Sequence, residues 1–380
     1  MNKRINFQGI AARALLAAGL ATAGSMAAFA QSGTSSVRNT VAFPAIEVAS
    51  YWTPARLLNA KLINPKANGR WAPTGTTLDL TTPSIAAPGS PPTEDAAPDS
   101  AELVLPGGGT AQVQTQDEVT GTDDLGHGLF TESRVFPVPA QTAQYPYPAS
   151  TVGAFFYHDP RTGGDGRCSA SVLRPRIILT AGHCVVKAST NSNNRYFYTN
   201  FAFYPSYNTG AAPVGVWSWQ FADVENAWYF SDNTWPNSED WAMLVATDNA
   251  RGQRLGDITG WLGYITGAIS SNHLTIVGYP CNLDNCNLMQ RNDAQTFASG
   301  GSNTWIVGSS AQGGVSGGPW VQDFGVIPVG SPTLQFGGNA VAAVNSYGPT
   351  GGNGYSGASQ FNNDFISLLN EVCAHNSGNC

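Results

Sequence analysis

The chain has 380 residues, enough for one large or two ordinary domains, and 42% of them are hydrophobic, which permits a sizeable core. Only 11% are charged, and the net charge of −7 without a basic stretch argues against a nucleic-acid partner. The 43 Gly and 24 Pro favour a turn-rich all-β fold over a helical one.

The first 30 residues have the pattern of a secretory signal peptide. Lys3, Arg4 and Arg13 supply positive charge, residues 14–23 form an apolar run, and residues 28–30 (Ala-Phe-Ala) form a small-x-small cleavage site. A membrane anchor is the alternative, but the run is shorter than the ~20 residues that span a bilayer. We therefore expect a secreted protein, extracellular or periplasmic, with no membrane attachment after signal removal.

Residues 31–134 differ from the rest of the chain. Between positions 72 and 133 there is no Lys or Arg, while Asp and Glu are frequent and Pro, Thr, Ser, Ala and Gly dominate. Such a composition buries little apolar surface and predicts a poorly ordered segment. We interpret residues 31–134 as an acidic pro-segment and Arg134–Val135 as its processing bond, followed by a folded domain over residues 135–380. A spacer that stays attached is the alternative.

After position 145, short runs of β-branched and aromatic residues alternate with Gly, Asn, Pro and Ser. The predicted strands cover residues 151–157, 169–173, 176–180, 196–204, 241–245, 274–279, 304–308, 326–329 and 339–347. Many short strands at this spacing predict an antiparallel barrel or sandwich.

One helix is predicted at the end of the chain. Asp364 is placed to cap it. Four apolar residues then follow at helical spacing and predict a stripe that packs on the β domain: Phe365, Leu368, Leu369 and Val372.

All six cysteines lie after residue 167, and in an exported protein they predict three disulfides. Sequence alone leaves the pairing open. Proximity favours Cys168–Cys184, Cys281–Cys286 and Cys373–Cys380. A Cys/His zinc site is the alternative, but the regular short ligand spacings that such a site requires are absent.

Three residue types needed for nucleophilic catalysis occur in separate motifs. His183 follows the apolar run 177–179, Asp240 precedes the apolar run 241–244, and Ser316 lies in a glycine-dense loop. A serine hydroxyl needs a base, and the base needs a carboxylate that orients it and stabilises its charged form. We predict Ser316 as nucleophile, His183 as base and Asp240 as its partner. The amides of Gly314 and Ser316 would form an oxyanion hole.

Alternatives remain for two of these assignments. Glu239, Asp248 and Asp232 are other candidate acids; Asp240 is preferred because the apolar residues after it could bury its carboxylate. The segment around Ser316 also matches the G-x-S-x-G elbow of α/β-hydrolases. That match lacks a following helix, because Pro319 comes next, and its downstream His375 lies between two cysteines.

These motifs resemble those of the chymotrypsin-like (trypsin-fold) serine peptidases. Thr180-Ala-Gly-His-Cys184 and Ser316-Gly-Gly-Pro319 are similar to the family's His and Ser motifs, and Asp240-Trp-Ala-Met-Leu244 resembles its Asp motif. Within the family, residues 145–153 and 278–280 look most like the secreted bacterial glutamyl-endopeptidase branch. The resemblance covers roughly residues 135–373 and leaves the leader uncovered.

The resemblance implies a fold and an activity. The expected fold is all-β, with two antiparallel six-stranded β-barrels and a C-terminal helix, preceded by the poorly ordered acidic leader. Cys168–Cys184 would be the disulfide beside the catalytic histidine. The expected function is that of a secreted serine endopeptidase, made as a zymogen, which acts through an acyl-enzyme on protein or peptide substrates. We expect a monomer without cofactor or metal. The alternative is an inactive secreted binding protein on the same fold.

The resemblance also assigns a substrate-binding set: Ser310, Asn345, Ser346, Tyr347 and Gly348. Most of the family has Asp where Val315 stands, so activation through that ion pair is not available here. Trypsin-like members have Asp at the position of Ser310, and the glutamyl branch has His at that of Asn345 and a hydroxyl near that of Ala311. We therefore expect a neutral polar or apolar pocket.

Overall fold

The structure is a computed structural model, and it describes residues 36–40, 45–63, 65–66, 85–94, 130–135, 144–267, 269, 272–301, 303–329, 337–348 and 354–380. The predicted signal peptide and most of the acidic segment lie outside these residues. Within the described ranges, no helix is long and apolar enough to cross a membrane.

The described secondary structure is mostly β. The leader contributes β1 (Ser36–Asn39), α1 (Ala45–Tyr51), α2 (Pro54–Asn59), β2 (Lys61–Leu62), β3 (Ala86–Ala87) and β4 (Phe130–Arg134). The first half of the main domain contains β5 (Val152–His158), β6 (Asp165–Arg174), β7 (Ile177–Thr180), β8 (Val186–Lys187), β9 (Tyr196–Phe197), β10 (Thr199–Pro205), β11 (Trp219–Glu225), α3 (Asn226–Tyr229) and β12 (Ala242–Ala246). The second half contains α4 (Leu255–Thr259), β13 (Gly263–Ile265), β14 (His273–Gly278), β15 (Gln290–Gly301), β16 (Thr304–Ser309), β17 (Pro319–Gln322), β18 (Ala340–Tyr347), β19 (Gly354–Gln360) and α5 (Asn363–His375).

Six strands of the first half form one antiparallel sheet in the order β11-β12-β7-β6-β5-β10. A bridge between Phe203 and Trp217 joins β10 to the chain just before β11, which curls the sheet toward closure. Apolar side chains from alternate positions fill the interior, among them Val172, Ile178 and Leu244. This is the first barrel.

Six strands of the second half form a closed antiparallel barrel, in the order β17-β14-β15-β16-β19-β18, with β18 pairing back to β17. Its core includes Leu274, Ile276, Val307 and Trp320. The two six-stranded sheets confirm the predicted all-β, two-barrel fold. Strand β13 pairs in parallel with the start of β18.

The C-terminal helix is also confirmed. Its predicted apolar stripe is buried, and Phe365 stacks on Phe361 and meets the edge of Trp241. The predicted cap is wrong by two positions: the side chain of Asn362, not Asp364, accepts hydrogen bonds from the helix's first amides. Asn and Asp are equally good caps, so the residue type alone did not decide between them.

One predicted strand is absent. Residues 326–329 form no strand, and Ile327 and Val329 are 88% and 90% exposed. Pro328 cannot donate to a sheet, and the strand of this region is instead β17, immediately after the serine loop.

The expectation of a poorly ordered leader is wrong for the described segments. Each of its strands adds to one of the barrels: β1 pairs with β11, β2 with β6, β3 with β13 and β4 with β15. Trp52 is fully buried, and its indole donates to the carbonyl of Asn200 at 2.7 Å. The average composition of residues 31–134 conceals this local apolar anchor. The rest of the predicted pro-segment lies outside the described residues.

We predict that Trp52→Ala lowers the free energy of unfolding of the full-length protein by about 3–5 kcal/mol, because it empties a fully buried site. The matched control is Leu58→Ala on α2, where the side chain is 65% exposed and the expected change is within about 0.5 kcal/mol. Urea denaturation measures both. Equal effects from the two variants would contradict the observed docking of the leader.

Candidate active site

Strand pairing brings His183 and Asp240 together. Strands β7 and β12 run antiparallel with Thr180 opposite Ala242, so the end of one lies beside the start of the other. His183 follows β7 in a short turn, Gly182–Cys184, and Asp240 lies just before β12. The two motifs that lie 57 positions apart in sequence thus meet at one edge of the first barrel.

The Asp240 carboxylate is fully buried and strongly hydrogen-bonded. Its Oδ1 accepts from the backbone N–H of His183 at 2.8 Å, and its Oδ2 lies 2.7 Å from His183 Nδ1. The hydroxyl of Ser346 also donates to Oδ2, at 2.6 Å. Burial alone would raise the pKa of Asp240, but the charge of His183 and the hydrogen bonds from His183 and Ser346 outweigh it, so the pKa lies below its ordinary value.

The other imidazole nitrogen of His183 has a different environment. Nε2 is buried and has no hydrogen-bond partner among the described residues. With Nδ1–H directed at the carboxylate, Nε2 is the nitrogen that carries a lone pair and can accept a proton.

Two tryptophans cover the imidazole. The ring of Trp235 meets it edge-on at 5.6 Å between centroids, and that of Trp228 at 6.0 Å. The indole N–H of Trp235 also donates to Asp240 Oδ2 at 3.1 Å. Neither residue belongs to the sequence motifs, and the only signal for them was their position among the aromatic residues between His183 and Asp240.

The loop that carries Ser316 connects β16 to β17 and is fixed by both barrels. On the side of the first barrel, the N–H of Ser169 donates to the Ser316 carbonyl at 2.7 Å. On the side of the second, the N–H of Gly317 donates to the carbonyl of Asn345 at 2.7 Å. Ser316 is 2% exposed, so its position is set by the packing of the two barrels against each other.

Two glycines of this loop have backbone angles that favour glycine. Gly314 and Gly317 have φ of 101° and 79°. A Cβ on Gly317 would lie 2.1 Å from the Thr180 hydroxyl and 2.8 Å from the backbone nitrogen of Ala181. The Ser316 loop is therefore in close contact with the segment that leads into His183.

The structure brings together four of the five predicted substrate-binding residues. Asn345, Ser346, Tyr347 and Gly348 line one recess with Ser316. The hydroxyl of Ser346 also donates to Asp240, a role that its motif did not indicate. Ser310 is not part of this lining.

Two leader segments contact the same region. The carbonyl of Pro65 accepts from the N–H of Gly348 at 2.9 Å, and Pro65 lines the recess that contains Ser316. The Glu132 carboxylate accepts from the N–H of Ser310 at 3.2 Å and also from its hydroxyl. Because Ser310 and Gly348 are both predicted substrate-binding residues, the leader contacts them where a substrate is expected to bind.

The alternative acids lie elsewhere. Asp248 pairs with Arg176, and Asp232 accepts from Thr190 on the surface. Burial and the charge of Asp364 raise the pKa of Glu239 to about 7. Of these carboxylates, Asp240 is the one hydrogen-bonded to His183.

The three disulfides favoured by proximity are present: Cys168–Cys184, Cys281–Cys286 and Cys373–Cys380. Within the described part of the chain, one cluster has the composition of a metal site, formed by Cys168, His183 and Cys184. Its two sulfur atoms are bonded to each other, so they are not available as the thiolates that zinc binds.

Sequence comparison gives one distant relative. No protein-family model matches the chain. The "extracellular metalloprotease" of Bacillus subtilis (strain 168) is 26% identical over 145 residues, which cover 37% of this chain and 42% of that protein. The match thus spans less than half of the curated relative.

Structure comparison finds solved proteases whose whole length matches part of this chain. A thermostable serine protease, AL20, from an extremophilic microorganism superposes with a TM-score of 0.51 and 24% identity, over 61% of this chain and 100% of the protease. The protease Anisep from Arthrobacter nicotinovorans gives 0.49 and 24% over 61% and 99%, and a Glu endopeptidase gives 0.46 and 18% over 66% and 98%. The chain has the two-barrel fold of the chymotrypsin-like serine proteases, as the sequence motifs predicted.

We predict that Gly317→Ala destabilises the protein more than Gly163→Ala. Both residues have positive φ, 79° and 70°, but an added Cβ at Gly163 meets no atom of the described residues within 4 Å. Gly163→Ala therefore measures backbone strain alone, about 1–2 kcal/mol, and Gly317→Ala adds the clash with Thr180 and Ala181. Chemical denaturation reports the difference. Equal losses would show that the serine loop is not held against the His183 segment.

Proposed function

We propose that this protein is a secreted serine endopeptidase that hydrolyses peptide bonds through Ser316, His183 and Asp240. One observation carries the proposal: His183 is bonded through Nδ1 to a buried carboxylate, its Nε2 has no hydrogen-bond partner among the described residues, and the Ser316 loop packs against the segment that leads into His183. This polarity of the imidazole is what a general base for a serine hydroxyl requires. The fold shared with the thermostable serine protease supports the same assignment.

In the proposed mechanism, Ser316 Oγ attacks the peptide carbonyl and its proton passes to His183 Nε2. Asp240 stabilises the imidazolium formed in this step. The amides of Gly314 and Ser316 donate to the oxyanion, and the positive φ of Gly314 supports this orientation of the loop backbone. His183 then returns the proton to the leaving amine. A water molecule, deprotonated by the same nitrogen, hydrolyses the acyl-enzyme and regenerates the Ser316 hydroxyl.

The leader is assigned the role of a pro-segment, with Arg134–Val135 as the processing bond and Val135 as the first residue of the active form. Pro65 and Glu132 bind main-chain and side-chain donors of the predicted substrate-binding residues. Arg134 Nε donates to Asp284 Oδ2 at 2.6 Å, and the N–H of Val135 donates to the carbonyl of Met289 at 2.9 Å. These contacts favour a precursor in which the leader covers the cleft until β4 separates from β15 and is cleaved.

The catalytic assignment is tested with a fluorophosphonate probe, which forms a covalent bond with an activated serine. We expect the processed protein to be labelled and Ser316→Ala to be unlabelled. Asp240→Asn should reduce peptide hydrolysis by about 10⁴-fold, because the imidazole loses the partner that fixes its tautomer. The control is Ser367→Ala on the exposed face of α5, which should label like the parent protein.

Persistent labelling of Ser316→Ala would place the nucleophile elsewhere. A processed parent protein that neither labels nor cleaves any peptide library would favour the inactive binding protein.

The pro-segment assignment predicts a pH-dependent precursor. Burial raises the pKa of Glu132 in the docked leader, against the opposing hydrogen bonds from Ser310. Because the docked pKa lies above the value of a free glutamate, docking binds a proton and is weakened as the pH rises above that free value. The labelling rate of the precursor, divided by that of the processed enzyme, should therefore increase with pH. Glu132→Gln, which keeps an acceptor for Ser310, should remove this increase.

N-terminal sequencing of the active form completes this test. Val135 at the amino terminus is expected. Gln31 at the amino terminus of a fully active protein, or a precursor that labels as fast as the processed form at every pH, would contradict the assignment.

A further inference from the structure

The buried carboxylate of Asp240 is surrounded unequally on its two oxygens. Oδ1 accepts one hydrogen bond, from the His183 backbone. Oδ2 accepts from three donors: His183 Nδ1, the Ser346 hydroxyl and the Trp235 indole, at 2.7, 2.6 and 3.1 Å. A carboxylate offers about four lone-pair sites, two on each oxygen, so the three donors crowd Oδ2 while Oδ1 accepts one. The indole is the additional donor that reaches Oδ2 from the loop before β12.

Trp235 and Trp228 form a natural pair for comparison. Both rings are buried, both pack against the His183 imidazole, and their own centroids are 5.4 Å apart. They differ in one respect. The indole N–H of Trp228 is buried without a hydrogen-bond partner among the described residues, whereas that of Trp235 donates to Asp240. A role in packing is therefore shared by the two residues, and a role in hydrogen bonding belongs to Trp235 alone.

We infer that Trp235 is a positioning residue for the proposed reaction, acting through Asp240: its indole N–H fixes the carboxylate and withdraws part of its negative charge from His183. The inference rests on the proposed function. A carboxylate that gives charge to several donors stabilises a neighbouring imidazolium less than a bare one does. The third donor therefore weakens the attraction between the carboxylate and a positively charged His183.

The geometry also gives Trp235 a part in orientation. Its ring touches the imidazole edge-on while its N–H touches the oxygen that the imidazole bonds. One rigid side chain thus contacts both members of the His183–Asp240 pair. Its removal takes away one of the four donors that orient the carboxylate, and a small misplacement of a catalytic group lowers the rate substantially.

The test compares Trp235→Phe with Trp228→Phe in the processed enzyme, by the pH dependence of kcat/KM on a peptide substrate. Both changes remove an indole N–H and similar ring volume beside His183. For Trp235→Phe we expect the acid limb of the kcat/KM profile, where activity falls as the pH is lowered, to move to higher pH by a few tenths to about one unit. We also expect kcat to fall by roughly 3- to 30-fold. For Trp228→Phe we expect the loss of packing to lower kcat/KM by the same factor at every pH. The pH at which kcat/KM falls on the acid side should not change.

Two further variants isolate the N–H. Benzothienylalanine at position 235 keeps the shape of the indole but replaces N–H by sulfur, and should reproduce the shift seen with Trp235→Phe without its loss of packing. Glu239→Gln is the control for other titrating groups, because burial and the charge of Asp364 raise the pKa of Glu239 to about 7, close to this site. Glu239→Gln should leave the acid limb unmoved.

The outcomes separate this inference from the proposed function. A parent protein without activity would refute the proposed function, and the inference is then read from the downfield NMR signal of the proton between His183 and Asp240. In Trp235→Phe that signal should persist to higher pH than in Trp228→Phe. The inference fails if the two Phe variants shift equally, if neither shifts, or if benzothienylalanine behaves like tryptophan.

Discussion

The burial of the Asp240 carboxylate is the constraint on which the rest of the site depends. A charge removed from water is very costly unless it is paired and hydrogen-bonded, so this residue is compatible with the fold only when its donors are in place. Those donors come from both barrels. His183 and Trp235 belong to the first, whereas Ser346 lies on β18 of the second. Satisfying one carboxylate therefore aligns the two barrels at the cleft.

The segment that carries Asp240 is itself held in place by its neighbours. Trp241, the residue after Asp240, is held by Phe361 and Phe365 of the C-terminal segment, which fixes the start of β12. The backbone N–H of Asp240 donates to the hydroxyl of Ser359 on β19, and that hydroxyl donates to the carbonyl of Asn237. The helix α5 thus supports the site through Trp241. Its apolar stripe keeps in place the strand that presents the carboxylate.

The sequence predicted the parts that depend on local chemistry. The three disulfides, most strands and the C-terminal helix were predicted correctly because residue type and spacing determine them, and the His183 and Asp240 motifs do lie in contact. Contacts between distant segments were not readable. The bond from the Ser346 hydroxyl to Asp240 was not predicted, because nothing in the motif of Ser346 points to a residue 106 positions earlier. Trp235 lies in no motif.

The leader shows a different limit of sequence reasoning. The acidic, Pro-rich composition describes the leader as a whole. Whether one of its segments packs on a barrel depends on a few residues within that segment. Trp52 is buried against Phe156 of the first barrel, and Arg56 bonds to Asp165 at 2.8 Å. These contacts form only with the barrel present, so they have no signature in the composition of the leader itself. The same holds for Glu132, whose carboxylate is separated from Ser310 by 178 positions.

The leader's contacts also explain how it could be held and then exchanged. Two of them pair polar groups of predicted substrate-binding residues: the N–H of Gly348 bonds to Pro65, and the N–H and hydroxyl of Ser310 bond to Glu132. An extended peptide has carbonyls at regular intervals and can replace Pro65 at Gly348. If the leader is a pro-segment, as proposed, leader and substrate would compete for the same donors.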